Sequence, residues 1–219
     1  MRTLALSLAG FLALAAAPLS ESTTAAGLKE ALRVATERAV QSTSRTNGFL
    51  DNPRIRIGLP GKLSSVASAL RGIGMSAQVD ELEVAMNHAA EKAASEATPV
   101  FVDAISQMSF DDAAGILRGS DTAATEYFQK TTTDPLRARF GPIVGQAMQS
   151  VGVGKLYDQL IGRYTSAVPF SSAPKLDLNR YVTDKTLAGL FTVVGEEEKK
   201  IRTNPAARAT DLLKQVFGR

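Results

Sequence analysis

The chain contains no cysteine, and that single absence removes several chemistries. No disulfide, thiol nucleophile or thiolate metal site can form, so stability must come from packing. Histidine is almost as scarce. His88 stands alone, so the usual two- and three-histidine metal centres cannot assemble within one chain. Neither the Gly-x-Ser-x-Gly elbow of hydrolases nor a His-Glu-x-x-His helix occurs. No cofactor or metal is expected. An excess of one charge is lacking too: 25 basic and 22 acidic residues are interspersed along the chain. A nucleic-acid binder concentrates its basic residues on one face, so nucleic acid is not an expected partner.

Long apolar runs are also missing. The Leu-, Ala- and Phe-rich stretch at 4–14 is shorter than the roughly 20 residues that span a bilayer. Preceded by Met1-Arg2 and followed by the small residues Ala15-Ala16-Ala17, it has the three-part layout of a secretory signal. The expectation is a signal peptide over 1–17, export to the periplasm, and a single domain over 18–219. An uncleaved N-terminal membrane anchor is the alternative. Lipid attachment at such a signal requires a cysteine and is excluded. Without Arg2 the balance is 24 basic against 22 acidic residues, a net charge of +2.

What the chain does have is helical periodicity. Leu28, Leu32, Ala35 and Ala39 fall on one face of a helix over 25–42. Leu63, Val66, Ala67 and Leu70 stripe a helix from Leu59-Pro60 to Arg71. Val79, Leu82, Met86, Ala89, Ala90 and Ala93 stripe a long one over 76–97. Pro99 then starts a new helix or kinks the old one. Ser109 before Phe110-Asp111-Asp112 reads as an N-cap, as does Ser120 or Asp121, and Asp134-Pro135 reads as the start of a helix over 135–150. Further helices are expected at 153–166, 177–202 and 205–217, with a loop at 168–174. Gly72-Ile73-Gly74 and Gly152-Val153-Gly154-Lys155 follow no strand and read as helix stops rather than phosphate loops. Arg54-Ile55-Arg56-Ile57 alternates and allows one short strand, an extended connector or a small hairpin near 54–58. The fold class is all-α, one domain of about eight to ten helices.

Three polar clusters carry what chemistry there is. Glu83, Asn87 and Glu91, with Asp80 a turn earlier and His88 alongside, form a row that could hold a cation or the polar end of a ligand. Equally, the carboxylates could be a solvated face and Asn87 a hydrogen-bonder to a neighbouring turn. Glu196 with Lys200 and Glu198 with Arg202 are spaced as helix-stabilising pairs, unless Glu197 or Arg202 is buried against another segment. Ser172-Ala173-Pro174-Lys175 matches a bare Ser-x-x-Lys pattern, but the proline and the absence of companion motifs mark it as chance. Ala-rich helices with widely spaced Phe101, Phe110, Phe128, Phe140, Phe191 and Phe217 suit dense packing, or else an apolar pocket.

Gly48-Phe49-Leu50-Asp51-Asn52-Pro53 with Ile55-x-Ile57-x-Leu59-Pro60 resembles an exported proteobacterial family known only as a domain of unknown function. So do Met86-Asn87-His88-Ala89-Ala90-Glu91, Ala124-Thr125-x-Tyr127-Phe128 and Glu197-Glu198-x-x-Ile201-Arg202-x-Asn204-Pro205. The resemblance spans the mature chain and implies a signal-bearing helical domain without an established reaction. His88 stands where arginine is expected in many relatives. The resemblance singles out Asn52, Asn87, Glu91, Thr125, Tyr127, Glu197 and Arg202, either as hydrogen-bonders that fix helix packing or as residues converging on a ligand.

The leading expectation is a periplasmic, non-enzymatic helical protein that binds a lipid or other apolar small molecule. A structural or partner-binding envelope protein is the alternative, with peripheral membrane contact allowed and the oligomeric state open. An enzyme using Glu91 and Glu197 as acid and base, within roughly 5–10 Å of each other, is the third reading.

Overall fold

The computed structural model describes residues 21–168 and 176–204. The signal segment, the Ser172–Lys175 pattern, most of the 168–174 loop and the 205–217 helix therefore lie outside the described residues. Among the described residues eight α-helices appear in order: α1 (Glu21–Ser44), α2 (Ser64–Gly72), α3 (Ser76–Ala94), α4 (Ala97–Gln107), α5 (Phe110–Arg118), α6 (Ala123–Ser150), α7 (Val153–Ala167) and α8 (Leu178–Thr203). A 3₁₀ turn at Gly61–Leu63 leads into α2, which thus starts later than Leu59-Pro60 suggests.

The expected stripes are the buried faces. Leu28, Leu32, Ala35 and Ala39 of α1 are buried, as are Val66, Ala67 and Leu70 of α2 and all six named stripe residues of α3. Burying such a row is what stabilises a helix too short to persist alone in water. The four longest helices, α1, α3, α6 and α8, form the centre. α8 lies against α6, α1 and α3, while α3 also packs on α6. α4 joins α1 to α6, α5 does the same at another place, and α2 and α7 close over α3. Inside, Phe101 packs edge-on against Phe128, with ring centroids 5.2 Å apart, and against Phe191 at 6.4 Å. These aromatics fill the core rather than line a pocket.

Pro99 falls in the first turn of α4, where its missing N–H costs nothing, so α3 and α4 are separate helices. Asp134-Pro135 behaves differently from its local signal. α6 runs unbroken through Pro135 and Pro142. An interior proline costs about 3 kcal/mol. Phe128, Thr132, Leu136 and Phe140 form one buried row that crosses Pro135, and keeping that row in register offsets the lost hydrogen bond. The alternating 54–57 stretch forms no strand: among the described residues there is none. It is turns followed by an extended connector, with Ile55 and Ile57 buried. Both expected helix stops hold left-handed glycines, Gly74 at φ 85° and Gly152 at φ 71°.

Candidate functional site

The row on α3 faces the connector that follows α1. Asn87, fully buried, accepts from the Ile57 N–H at 2.8 Å and donates to the Ile57 carbonyl at 2.8 Å. One amide side chain thereby replaces the partner strand that the alternating segment lacks. A turn further on, Glu91 is 4% exposed. Its carboxylate accepts from the backbone N–H groups of Asn47 (3.1 Å), Phe49 (3.1 Å) and Leu50 (3.3 Å). The half-exposed ring of His88 lies 2.8 Å from the same carboxylate through Nδ1. Glu83 completes the row with ion pairs to Arg56 and Arg71. Glu83 and Glu91 are thus not a solvated face, and what meets them is backbone and arginine.

Two glycines let this seam close. A Cβ on Gly48 would lie 2.4 Å from the Ser42 carbonyl oxygen, and one on Gly189 would lie 2.5 Å from the Phe49 ring. Phe49 is therefore pressed into α8 where that helix has no side chain. Tyr181 of α8 donates to the Gly58 carbonyl at 2.9 Å. Burial, and secondarily the charge of Glu83, push its hydroxyl above the usual tyrosine range, so it stays a donor.

A second seam joins α8 to the α5–α6 corner. The residue before α6, Thr122, offers its helix no side-chain cap, and the Ser120 hydroxyl accepts from the Thr122 N–H, at 3.3 Å, one residue before the helix. The cap comes from α8 instead. Glu198, 4% exposed, accepts from the N–H groups of Ala124 (3.0 Å) and Thr125 (2.9 Å) and from the Thr125 hydroxyl (2.8 Å). A carboxylate there also meets the positive end of the helix dipole. Arg202 holds Glu198 through Nε at 3.0 Å and Nη2 at 2.9 Å, and Nη2 donates as well to the Ile116 carbonyl near the end of α5.

The seven residues named from the sequence are thus dispersed. Asn87 and Glu91 meet on the connector, and Thr125 and Arg202 meet on Glu198. Asn52 closes a turn by accepting from the Arg54 N–H. Tyr127 donates to the Ala104 carbonyl at 3.3 Å, its hydroxyl raised above the usual range by burial and then by Asp112. Glu197 pairs with Lys200 and, at 4.0 Å, with Arg38. Glu196 forms an ion pair with Arg54 rather than with Lys200. Glu198 is the organising residue of its seam, and the sequence signal that could have marked it is its spacing to Arg202.

Open space lies elsewhere. A cavity of about 490 Å³ sits between the start of α1 and α5. Ala25 and Ala113 form its buried floor, and the half-buried Ala114 and Leu117 continue it. Phe110, at its edge, is 66% exposed, the highest value among the exposed large apolar side chains. Phe110, Ala113, Ala114 and Leu117 follow the i, i+3, i+4, i+7 spacing of one helix face. Asp111 and Arg118 stand at the two ends of α5 and also line the cavity. A second cavity of about 660 Å³, between α6, α7 and the start of α8, is edged by the polar Gln146, Gln149 and Asn179. Among the described residues no three acidic or histidine side chains group as a metal site, and no helix is long and apolar enough to cross a membrane.

No curated protein and no solved structure matches the chain. A family model matches residues 18–218, nearly its whole length, and the chain belongs to that family, described as "Protein of unknown function (DUF4197)".

Proposed function

We propose that this is an exported, non-enzymatic helical protein that binds a lipid or other apolar small molecule in the groove between α1 and α5. The observation that carries the reading is Phe110, 66% exposed beside a cavity of about 490 Å³ floored by alanines. Leaving a phenylalanine in water forgoes about 1.5–3 kcal/mol of burial. The volume lies within the range of small-molecule sites, about 300–1,000 Å³. The N-terminal layout of Arg2, an apolar stretch and small residues supports export.

The non-catalytic part rests on the occupancy of the carboxylates. Glu91 holds three backbone donors and Glu198 holds two plus a guanidinium, so neither has an oxygen free for proton transfer. Glu197, the other half of the acid–base reading, is ion-paired on α8. The seven polar residues act in this reading as fasteners that hold the helices in place.

Native mass spectrometry of protein purified without detergent, run beside a solvent-extracted aliquot, tests the proposal. A discrete extra mass lost on extraction, and absent from Phe110→Ser protein, is the expected result. A clean apo mass in cell-derived protein, together with no uptake of added lipid, would overturn it.

A further inference from the structure

The cavity of about 660 Å³ between α6, α7 and the start of α8 shares no lining residue with the α1–α5 groove. Its floor is apolar: Met148, Val153 and Leu178 are buried there, and the half-buried Tyr157 lies beside them. The rim is polar and neutral. The exposed side-chain amides of Gln146, Gln149 and Asn179 have no hydrogen-bond partner among the described residues. Each amide carries two donors and one acceptor oxygen. The walls are left open by glycine. A Cβ on Gly141 or Gly154 would meet nothing within 4 Å, and one on Gly145 would touch only the Asn179 amide, at 3.5 Å. Packing therefore requires glycine at none of these three positions, although glycine weakens a helix relative to alanine.

Charge is nearly absent from this cavity. No basic side chain of the described residues lines it, and the one acidic group, Asp177, serves as the N-cap of α8 by accepting from the Arg180 N–H at 2.9 Å. An anion finds no cation here, and a polycation finds a single carboxylate that is already engaged. One further group on this side of α8 lacks a partner. Thr183 stands one turn beyond Asn179, between the contact of Asn179 with Gly145 and the ion pair of Asp184 with Arg137, so it lies at the level of Gly141 on α6. Its buried hydroxyl has no hydrogen-bond partner among the described residues. Such a group can be satisfied by a ligand hydroxyl, directly or through one water.

An apolar floor ringed by uncharged donors and acceptors complements a molecule with an apolar face and a rim of hydroxyls. We propose that this cavity is a second binding site, for a neutral saccharide, with the C–H face of a sugar ring on the floor and its hydroxyls on the three amides. An extended peptide fits less well, because it needs separate pockets for alternate side chains.

The test is a calorimetric titration of the full-length protein with three neutral trisaccharides, maltotriose, cellotriose and chitotriose, beside end-capped trialanine and spermidine. At least one trisaccharide should bind with a Kd of about 1 mM or tighter, and trialanine and spermidine should bind more weakly than it does. Gln149→Ala and Asn179→Ala should each weaken that trisaccharide about fivefold, the equivalent of one net hydrogen bond. Gly154→Leu should abolish its binding while Tm is kept or raised, since the added Cβ meets nothing and leucine favours helix. The same variants should keep the parent's Tm and its affinity for dodecanoate, the probe of the α1–α5 groove. Failure of all three trisaccharides to bind, tighter binding of trialanine or spermidine, or affinities that none of the three substitutions changes would overturn the proposal and leave the groove reading standing.

Discussion

Two buried carboxylates perform the same task in different settings. Glu91 on α3 and Glu198 on α8 each reach across to backbone N–H groups of a distant segment, and both are 4% exposed. Glu91 gathers an irregular turn and has the half-exposed His88 beside it. Glu198 caps a regular helix and is tied to Arg202, itself 12% exposed and bonded onward to α5. The loss of Glu91 leaves neutral donors that water can reach once the turn loosens. Loss of Glu198 also takes the carboxylate away from a guanidinium that is only 12% exposed. A buried carboxylate paired with a mostly buried guanidinium holds more of the fold than one met by backbone and a half-exposed imidazole.

That ranking can be broken by measurement. Glu198→Ala should show the largest effect, about 3–5 kcal/mol of lost stability in a urea denaturation, because it removes one partner of a buried ion pair. Removing Arg202 in the same background should recover part of the loss. Glu91→Gln should cost less, about 2–3 kcal/mol, the scale for leaving buried backbone donors poorly matched. If Glu91→Gln proved the more damaging, the difference between the seams would be misassigned.

How far the sequence made these seams legible depends on the range of the signal. Stripes such as Leu28–Leu32–Ala35–Ala39 repeat within one helix, so periodicity alone located the buried faces of α1, α2 and α3. Ser109 and Asp112 form a reciprocal cap three residues apart, equally local. The α6 cap is not local: Glu198 lies 73 residues from Thr125, so no periodicity or cap pattern links the two. Pro135 misled for a related reason, since its breaking tendency is written locally while the buried row that overrides it depends on α3 and α8. Alternation at 54–57 correctly marked Ile55 and Ile57 as inward, but the missing partner strand proved to be one side chain, Asn87.

Smaller effects sharpen the picture. Gly189→Ala should cost about 1–3 kcal/mol by overpacking against Phe49, read from the same denaturation. Its effect should shrink when combined with Phe49→Leu, because the two atoms contend for one space. Ser109→Ala should cost about 1 kcal/mol at neutral pH through the lost cap. That difference carries a pH signature. The Ser109 hydroxyl, then its N–H, hold the Asp112 carboxyl below its usual range. The stabilisation is therefore complete above the ordinary aspartate range and fades as pH falls through it. Asp112 is solvent-exposed, so screening keeps the change small. A Ser109→Ala difference that stays constant down to strongly acidic pH would show that the carboxylate takes no part.

The central claim is a division of labour, with the buried polar residues fastening the fold and the α1–α5 groove binding. It is tested most directly by measuring thermal stability and dodecanoate affinity on the same two variants, Glu91→Gln and Phe110→Ser. The account predicts opposite outcomes. Glu91→Gln should lower Tm yet bind as the parent does while folded, and Phe110→Ser should keep its Tm and lose at least tenfold in affinity. A folded Glu91→Gln protein that cannot bind, or a Phe110→Ser protein that binds unchanged, would contradict it.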